Sequence, residues 1–169
     1  MIPIFKNKLL SLSLANKQII NTMSKTAIYI HLVFATKNRE RTIFPEGKDR
    51  LYSYIAGILK NKNCHPCAIG GTRDHVHILL DLHPAVSLST LVREIKTSTN
   101  GLIRQERLLS HFDGWGEGYY AGSISPAHKS QCEEYIGNQE EHHKSRSIED
   151  EMEKIASRYG FCYHVNDWK

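Results

Sequence analysis

Several absences narrow the range of proteins that this sequence can encode. Only four cysteines occur among its 169 residues, too few for an extracellular scaffold held by disulfides. No run approaches the roughly 20 apolar residues of a membrane span, and no internal repeat or low-complexity tract is present. With 40% hydrophobic and 24% charged residues, the composition is that of one globular domain. We therefore expect a reducing, cytoplasmic setting and no membrane association.

The net charge of +4 is unevenly distributed along the chain. Residues 1–22 carry +3, residues 23–126 carry +4 and residues 127–169 carry −3. A basic body suits a polyanionic partner, although charge alone indicates this only weakly. Lysines interrupt the apolar residues of the first segment, and Met23 resembles a second start just before the first strand. We expect residues 1–22 to lie outside the fold and residues 23–169 to form a single domain.

Apolar periodicity predicts eight secondary-structure elements. Segments that alternate apolar and polar side chains, or that are rich in β-branched residues, indicate strands, whereas apolar residues at helical spacing indicate helices. Their order matches the ferredoxin-like split βαβ pattern, so we expect an α+β fold with an antiparallel sheet, helices on one face and an appended C-terminal helix. The elements are a strand at 27–36, a helix at 46–62, a hairpin of strands at 66–70 and 75–82, a helix from Ser87, a strand at 119–125, a helix from Pro126 through Gln139, and a further short strand at 161–165.

The strongest chemical signal is His75-Val76-His77 in the fourth of these elements. Residues i and i+2 of a strand project from the same face, so the two imidazoles point together while Val76 enters the core. Two neutral imidazoles side by side suit a divalent cation. On spacing alone, two partly exposed surface histidines remain an equally good interpretation.

The last predicted helix carries a second signal, Tyr135 and Gln139. Residues four apart share a helix face, and a phenol beside an amide oxygen can act as a nucleophile next to a metal ligand. A tyrosine on an amphipathic helix is more often a core or rim residue, so this pair is weak by itself. Tyr119 and Tyr120 are rival nucleophiles on a predicted strand, without a glutamine at helical spacing.

Taken together, these residues resemble the single-tyrosine HUH transposases of bacterial insertion sequences and their repeat-associated relatives. The resemblance covers most of the chain and holds in order and spacing as well as content. It rests on the opening strand Ile30–Arg39 (IHLVFATKNR), on His75-Val76-His77, on Gly118-Tyr119 with Ser123-Ile124-Ser125, and on the segment Tyr135–His143 (YIGNQEEHH).

The resemblance implies a DNA transposase that cleaves and rejoins single-stranded DNA at imperfect hairpins. It assigns His75 and His77 as ligands of Mg²⁺ or Mn²⁺, Gln139 as the third protein ligand, and Tyr135 as the nucleophile that forms a 5′-phosphotyrosine intermediate. It also implies a homodimer, in which the tyrosine helix of one subunit can complete the histidine site of the other. Two other functions stay open: a domesticated enzyme that nicks genomic repeat hairpins, and a descendant that only binds DNA.

Basic and aromatic residues indicate where DNA would bind. Tyr29, His31, Tyr119 and Tyr120 are candidates for stacking on unpaired bases. Each basic candidate for a phosphate contact is also compatible with ordinary solvated surface. These basic candidates are Lys37, Arg39, Arg41, Arg73, Arg93 and Lys96.

Two other clusters invite a metal or redox interpretation that we do not favour. Cys64 and Cys67 have the C-x-x-C spacing, but the chain has no second such pair to complete a zinc site, and the motif leads into a strand. In the segment 140–143 (EEHH), neighbouring helix positions diverge by about 100° and do not chelate one ion together. We expect local packing for the cysteines and solvated surface for the second cluster.

Overall fold

The computed structural model describes residues 25–139 together with residues 153, 154 and 157. The segment 1–22, the segment 140–143 and the strand predicted at 161–165 lie outside the described residues. Within the described part, each of the other predicted elements is found. They are β1 (Tyr29–Ala35), α1 (Pro45–Asn61), β2 (His65–Gly71), β3 (His75–Asp81), α2 (Leu88–Glu106), β4 (Tyr120–Ile124) and α3 (Lys129–Gly137).

The four strands form one antiparallel sheet in the order β2-β3-β1-β4. This order confirms the predicted ferredoxin-like α+β fold. The pairing of the two central strands sets Ala35 opposite His75 and Val33 opposite His77. Directly opposed residues project from the same face of a sheet, so alternate residues of β1 and the two histidines of β3 share a face.

The two faces of the sheet bury different sets of residues. On one face, Leu32 and Phe34 of β1 and Ile78 of β3 pack in the main core beneath α1 and α2, and all three side chains are fully buried. On the other face, α3 packs against β2 and β3, and its residues Cys132 and Ile136 form a second apolar cluster with Leu79, Cys67 and other residues. The helix that carries Tyr135 therefore covers the histidine face.

The helix α3 approaches β2 closely at Gly70. A Cβ atom at this position would lie 2.4 Å from the carbonyl oxygen of Ile136 and 2.9 Å from its Cγ2 atom. Gly70 is paired with His77 on the neighbouring strand. The absence of a side chain at Gly70 thus permits α3 to sit directly above the strand that bears the histidines.

The limits of α3 differ from the predicted helix at both ends. Residues Pro126–His128 form a 3₁₀ turn, and the α-helix begins only at Lys129. At the other end the helix stops at Gly137, and Asn138 leaves the helical region with φ −98° and ψ 14°. Glycine and asparagine are poor helix formers, which explains the early end. Gln139 is again helical after this one-residue turn.

Among the described residues, no helix combines the length and apolar character needed to cross a membrane.

Candidate active site

Three buried histidines meet on the face of the sheet covered by α3. The exposed fractions are 3% for His31 and 0% for His75 and His77. The ring centroids of His75 and His77 are 4.9 Å apart, as strand parity predicts, and those of His31 and His77 are 5.2 Å apart. Buried polar rings require hydrogen-bond or metal partners, because burial without one costs free energy.

Each histidine of the predicted metal pair has its Nδ1 atom engaged. The Nδ1 atom of His75 lies 2.8 Å from Oδ1 of Asp74 and 3.0 Å from Oγ1 of Thr72. The Nδ1 atom of His77 lies 2.9 Å from Nε2 of His31. Metal-binding histidines characteristically hold their second ring nitrogen in such a contact, which fixes the ring and its tautomer. In both rings, Nε2 is therefore the nitrogen that a bound metal would use.

Asp74 is held as a carboxylate by its neighbours. Burial by itself raises the pKa of Asp74, but the hydrogen bond and charge of His75, the hydrogen bond from Thr72 and the charge of Arg39 outweigh it and lower this pKa from 3.8 to about 2. The Thr72 hydroxyl donates to Oδ1 at 2.7 Å, and the Arg39 guanidinium lies 3.7 Å from Oδ2. The carboxylate thus orients His75 at all but very acidic pH.

We expect Asp74→Asn to lower the free energy of unfolding by about 2 kcal/mol at neutral pH, the equivalent of the pKa shift. Because the folded-state pKa lies below the unfolded one, the stabilisation is complete above roughly pH 4 and disappears as the pH falls through about 2. Urea unfolding of both proteins at neutral and acidic pH measures this difference.

The matched control is Asp113→Asn, which removes an exposed carboxylate paired with Lys37. Exposed ion pairs contribute little, so the loss should be much smaller than that of Asp74→Asn. A deficit for Asp74→Asn that is the same at neutral pH and near pH 2 would contradict the assigned role of the carboxylate.

Tyr135 lies beside the histidines of its own chain. Its ring meets His77 edge-on with 5.9 Å between centroids, and His31 edge-on with 6.2 Å. The side chain is partly exposed, as substrate access requires. Of the rival nucleophiles, Tyr120 is buried and edge-on to His31, whereas Tyr119 is 40% exposed. The geometry brings Tyr135 to the histidine pair.

Gln139, the third predicted metal ligand, is a buried amide. Its side chain is 1% exposed, yet within the described part of the chain neither amide atom has a hydrogen-bond partner. The residues that the structure describes contain no group of three or more His, Cys, Asp or Glu side chains arranged for a metal. The amide oxygen of Gln139 is a ligand type that suits Mg²⁺ or Mn²⁺. Two imidazoles and an amide oxygen fit Mn²⁺, and they fit Mg²⁺ only when further oxygen ligands complete the shell.

Four of the six predicted phosphate contacts lie near the end of the sheet where His75 is found. Lys37, Arg39 and Arg41 follow β1, and this segment turns back so that the amide of Ile43 donates to the carbonyl of Arg73 at 2.9 Å. Lys37 and Arg41 are exposed, and Arg39 is half-buried towards Asp74. These side chains provide a basic rim beside the buried site.

Arg93 and Lys96 lie elsewhere, on α2, whose layer covers the opposite face of the sheet. The Lys96 ammonium donates to the carbonyl oxygens of Gly116 and Gly118 at 2.8 and 2.6 Å, and burial lowers its pKa to about 8. Lys96 thus holds the loop before β4. Arg93 is exposed, as the sequence predicts for this helix face, whereas Lys96 is half-buried. The sequence gave no information about the layer in which the helix lies.

Cys64 and Cys67 are separated by the sheet. Cys64 is buried in the core beneath α1 and α2, whereas Cys67 packs with the cluster under α3. A bulge between Pro66 and Ala68 brings Cys67 to this face. Both thiols are free, and burial raises the pKa of Cys67. The packing role predicted for this motif agrees with its position.

Solved structures show the same fold. A candidate transposase from Deinococcus radiodurans R1 superposes with a TM-score of 0.54 and 24% identity, covering 69% of this chain and 94% of that one. A REP-associated tyrosine transposase bound to a REP hairpin superposes with a TM-score of 0.53 and 16% identity, covering 71% of this chain and 70% of that one.

Sequence comparison gives the family. Residues 24–139 match the family model described as IS200-like transposase. Transposases for insertion sequence element IS200 from Salmonella typhimurium strain LT2 and from Salmonella typhi are each 24% identical over 119 residues, which cover 68% of this chain and 78% of theirs. The chain belongs to the IS200-like transposase family.

The sequence did not reveal that Asp74 and His31 contact the Nδ1 atoms of the two predicted metal ligands. Asp74 directly precedes the first histidine, which is a recognisable signal for a carboxylate that orients a ligand. His31 was placed on the correct face of β1 by alternation, but as a candidate for base stacking. It is 3% exposed and its ring lies against His77, so stacking on a DNA base is excluded in this arrangement.

Proposed function

We propose that this protein is a metal-dependent transposase that cleaves and rejoins single-stranded DNA at hairpin ends, with Tyr135 as its nucleophile. The observation that carries the proposal is the contact of Tyr135 with His77 in the same chain, 5.9 Å between ring centroids. A nucleophile has to lie beside the groups that hold the scissile phosphate, since orientation supplies much of the rate. Family membership supports the reaction class.

In the proposed reaction, the Tyr135 hydroxyl loses its proton to solvent and its oxygen attacks the scissile phosphorus. The bond between phosphorus and the 3′ oxygen breaks, and this oxygen takes up a proton to leave as a 3′-hydroxyl. The 5′-phosphate stays on the tyrosine. Because the phosphotyrosine is itself a phosphodiester, a 3′-hydroxyl of another strand can reverse the attack without ATP or a hydrolysing water.

We propose His75, His77 and Gln139 as the residues that hold a Mg²⁺ or Mn²⁺ ion. When bound, the ion would polarise the scissile phosphate. Two imidazoles are a poor ligand set for Mg²⁺, which prefers oxygen, so substrate phosphate oxygens have to complete the shell. We therefore expect the free protein to bind Mg²⁺ weakly. The basic rim of Lys37, Arg39 and neighbouring residues would hold the DNA backbone.

The arrangement within one chain supports cleavage in cis. Tyr135 reaches the histidines of its own chain, so the site needs no exchanged helix. We also propose a homodimer, as the family resemblance implies, in which the two subunits can exchange their tyrosine helices.

A second candidate function is a repeat-associated enzyme that nicks genomic hairpins. One structural neighbour is a REP-associated tyrosine transposase bound to a REP hairpin, which favours hairpin DNA as a substrate class. Palindromes immediately outside the coding region would favour a mobile element, whereas scattered genomic copies would favour the repeat-associated enzyme. The joint presence of His75, His77, Tyr135 and Gln139 argues against a protein that only binds DNA.

The proposal is tested by incubating the full chain with single-stranded hairpin DNA from the flanks of its gene and with Mg²⁺ or Mn²⁺. We expect a covalent protein–DNA adduct on a denaturing gel, absent with EDTA. The adduct should carry a 3′-end label and not a 5′-end label, because the 5′-phosphate remains on the protein. An adduct of the opposite polarity, or one that forms in EDTA, would contradict the mechanism.

A further inference from the structure

We infer that His31 is a positioning residue that fixes the tautomer and orientation of His77, an inference that rests on the proposed metal-binding role of His77. The Nε2 atom of His31 lies 2.9 Å from Nδ1 of His77, and the rings stack with 5.2 Å between centroids and 23° between planes. The carboxylate of Asp74 makes the corresponding contact with Nδ1 of His75. Each metal-site histidine thus has its own supporting residue.

The strand register creates the His31–His77 contact. His31 pairs with Leu79 and His77 pairs with Val33, so the two imidazoles are diagonal neighbours on one face of the central strands. A diagonal distance of about 7–8 Å between backbones is within reach of two aromatic rings. Both rings are buried, so the contact is made away from bulk water, where an electrostatic interaction is stronger.

The contact couples the proton positions of the two rings, because only one of the two facing nitrogens carries the hydrogen that they share. If His77 binds a metal through Nε2, that nitrogen must present its lone pair and the proton must sit on Nδ1. The Nδ1–H group of His77 then donates to Nε2 of His31, which accepts, and the proton of His31 sits on its own Nδ1. An imidazole in water favours the opposite tautomer, with the proton on Nε2. With His31 as the acceptor, the contact therefore stabilises the metal-binding form of His77.

His31 also touches the nucleophile. Its ring is edge-on to Tyr135 at 6.2 Å and to Tyr120 at 6.3 Å between centroids. The His31 side chain, on a central strand of the sheet, therefore contacts both the metal-site histidine His77 and the helix that carries Tyr135. Loss of the ring would disturb packing as well as the tautomer, and the test has to separate the two effects.

The test uses the metal-free full chain, uniformly labelled with ¹⁵N, at a pH where the imidazoles are neutral. Long-range ¹H–¹⁵N spectra report which ring nitrogen carries the proton. We expect the Nδ1–H form for His77 in the wild type and in His31→Gln, whose amide oxygen can replace the accepting nitrogen. We expect a return towards the Nε2–H form in His31→Leu. Val33→Ala, which loosens packing opposite His77 without removing the acceptor, should leave the tautomer unchanged.

Titration with Mn²⁺ alone, followed by the electron paramagnetic resonance signal of the free ion, gives the second readout. Loss of a residue that supports a metal ligand typically costs 10–100-fold in affinity, and we expect this loss for His31→Leu but not for His31→Gln. A wild-type His77 in the Nε2–H form, or a tautomer that is unchanged in His31→Leu, would overturn the inference. Because the tautomer is measured without metal or DNA, a missing covalent adduct would contradict the proposed function and leave this result standing.

Discussion

Tyr135→Phe should abolish the covalent protein–DNA adduct, with a loss of roughly 10³-fold or more, because phenylalanine has no oxygen to attack phosphorus. Binding of the hairpin should persist. The substitution removes one hydroxyl and keeps the ring, so the edge-on contacts with His77 and His31 are retained. Adduct formation is measured on denaturing gels and hairpin affinity by fluorescence anisotropy.

The matched control is Tyr119→Phe, which removes a hydroxyl from the exposed tyrosine immediately before β4. Its adduct yield should equal that of the wild type. Should Tyr135→Phe keep its adduct while Tyr119→Phe loses it, the nucleophile would be Tyr119 and the assignment made here would be wrong. Peptide mapping of the adduct provides an independent check.

Gly70→Ala should displace the tyrosine helix and reduce the rate of adduct formation about 100-fold, the effect typical of a displacement of about 1 Å at a reacting group. The added Cβ would lie 2.4 Å from the backbone carbonyl of Ile136, the residue after Tyr135. A backbone atom has little freedom to move away, so the helix has to shift. Overpacking of this kind also costs about 1–3 kcal/mol of stability, which urea unfolding measures.

Gly101→Ala is the corresponding control, because Gly101 is an exposed residue within α2 and a Cβ there meets no atom within 4 Å. Alanine is the better helix former, so we expect stability to rise by up to about 1 kcal/mol with no change in adduct formation. An adduct rate for Gly70→Ala equal to that of Gly101→Ala would show that the close approach of α3 to β2 does not position the nucleophile.

The order of the elements and the identity of the buried faces could be read from the sequence, because both depend on local periodicity. Alternation in β1 put His31 on the face opposite Phe34, and the two-residue spacing in β3 put His75 and His77 side by side. The helix limits around Pro126 and Asn138 were less predictable. Turn geometry near a helix end depends on local hydrogen bonds, such as the contact of 2.7 Å between the Ser125 hydroxyl and Nδ1 of His128.

The sequence by itself determined the fold class, the two-histidine strand and the tyrosine segment, since strand and helix periods act over a few residues. Only the tertiary structure determined which other side chains these residues contact. The register between β1 and β3 joins His31 to His77 across 46 positions of the chain, and periodicity within one strand carries no information about the register of its partner. For the same reason the sequence could not assign Arg93 to the layer away from the histidines. Sheet pairing and helix packing depend on contacts between residues that are far apart in the sequence. Burial of apolar faces and the fit of Ile136 over Gly70 determine them.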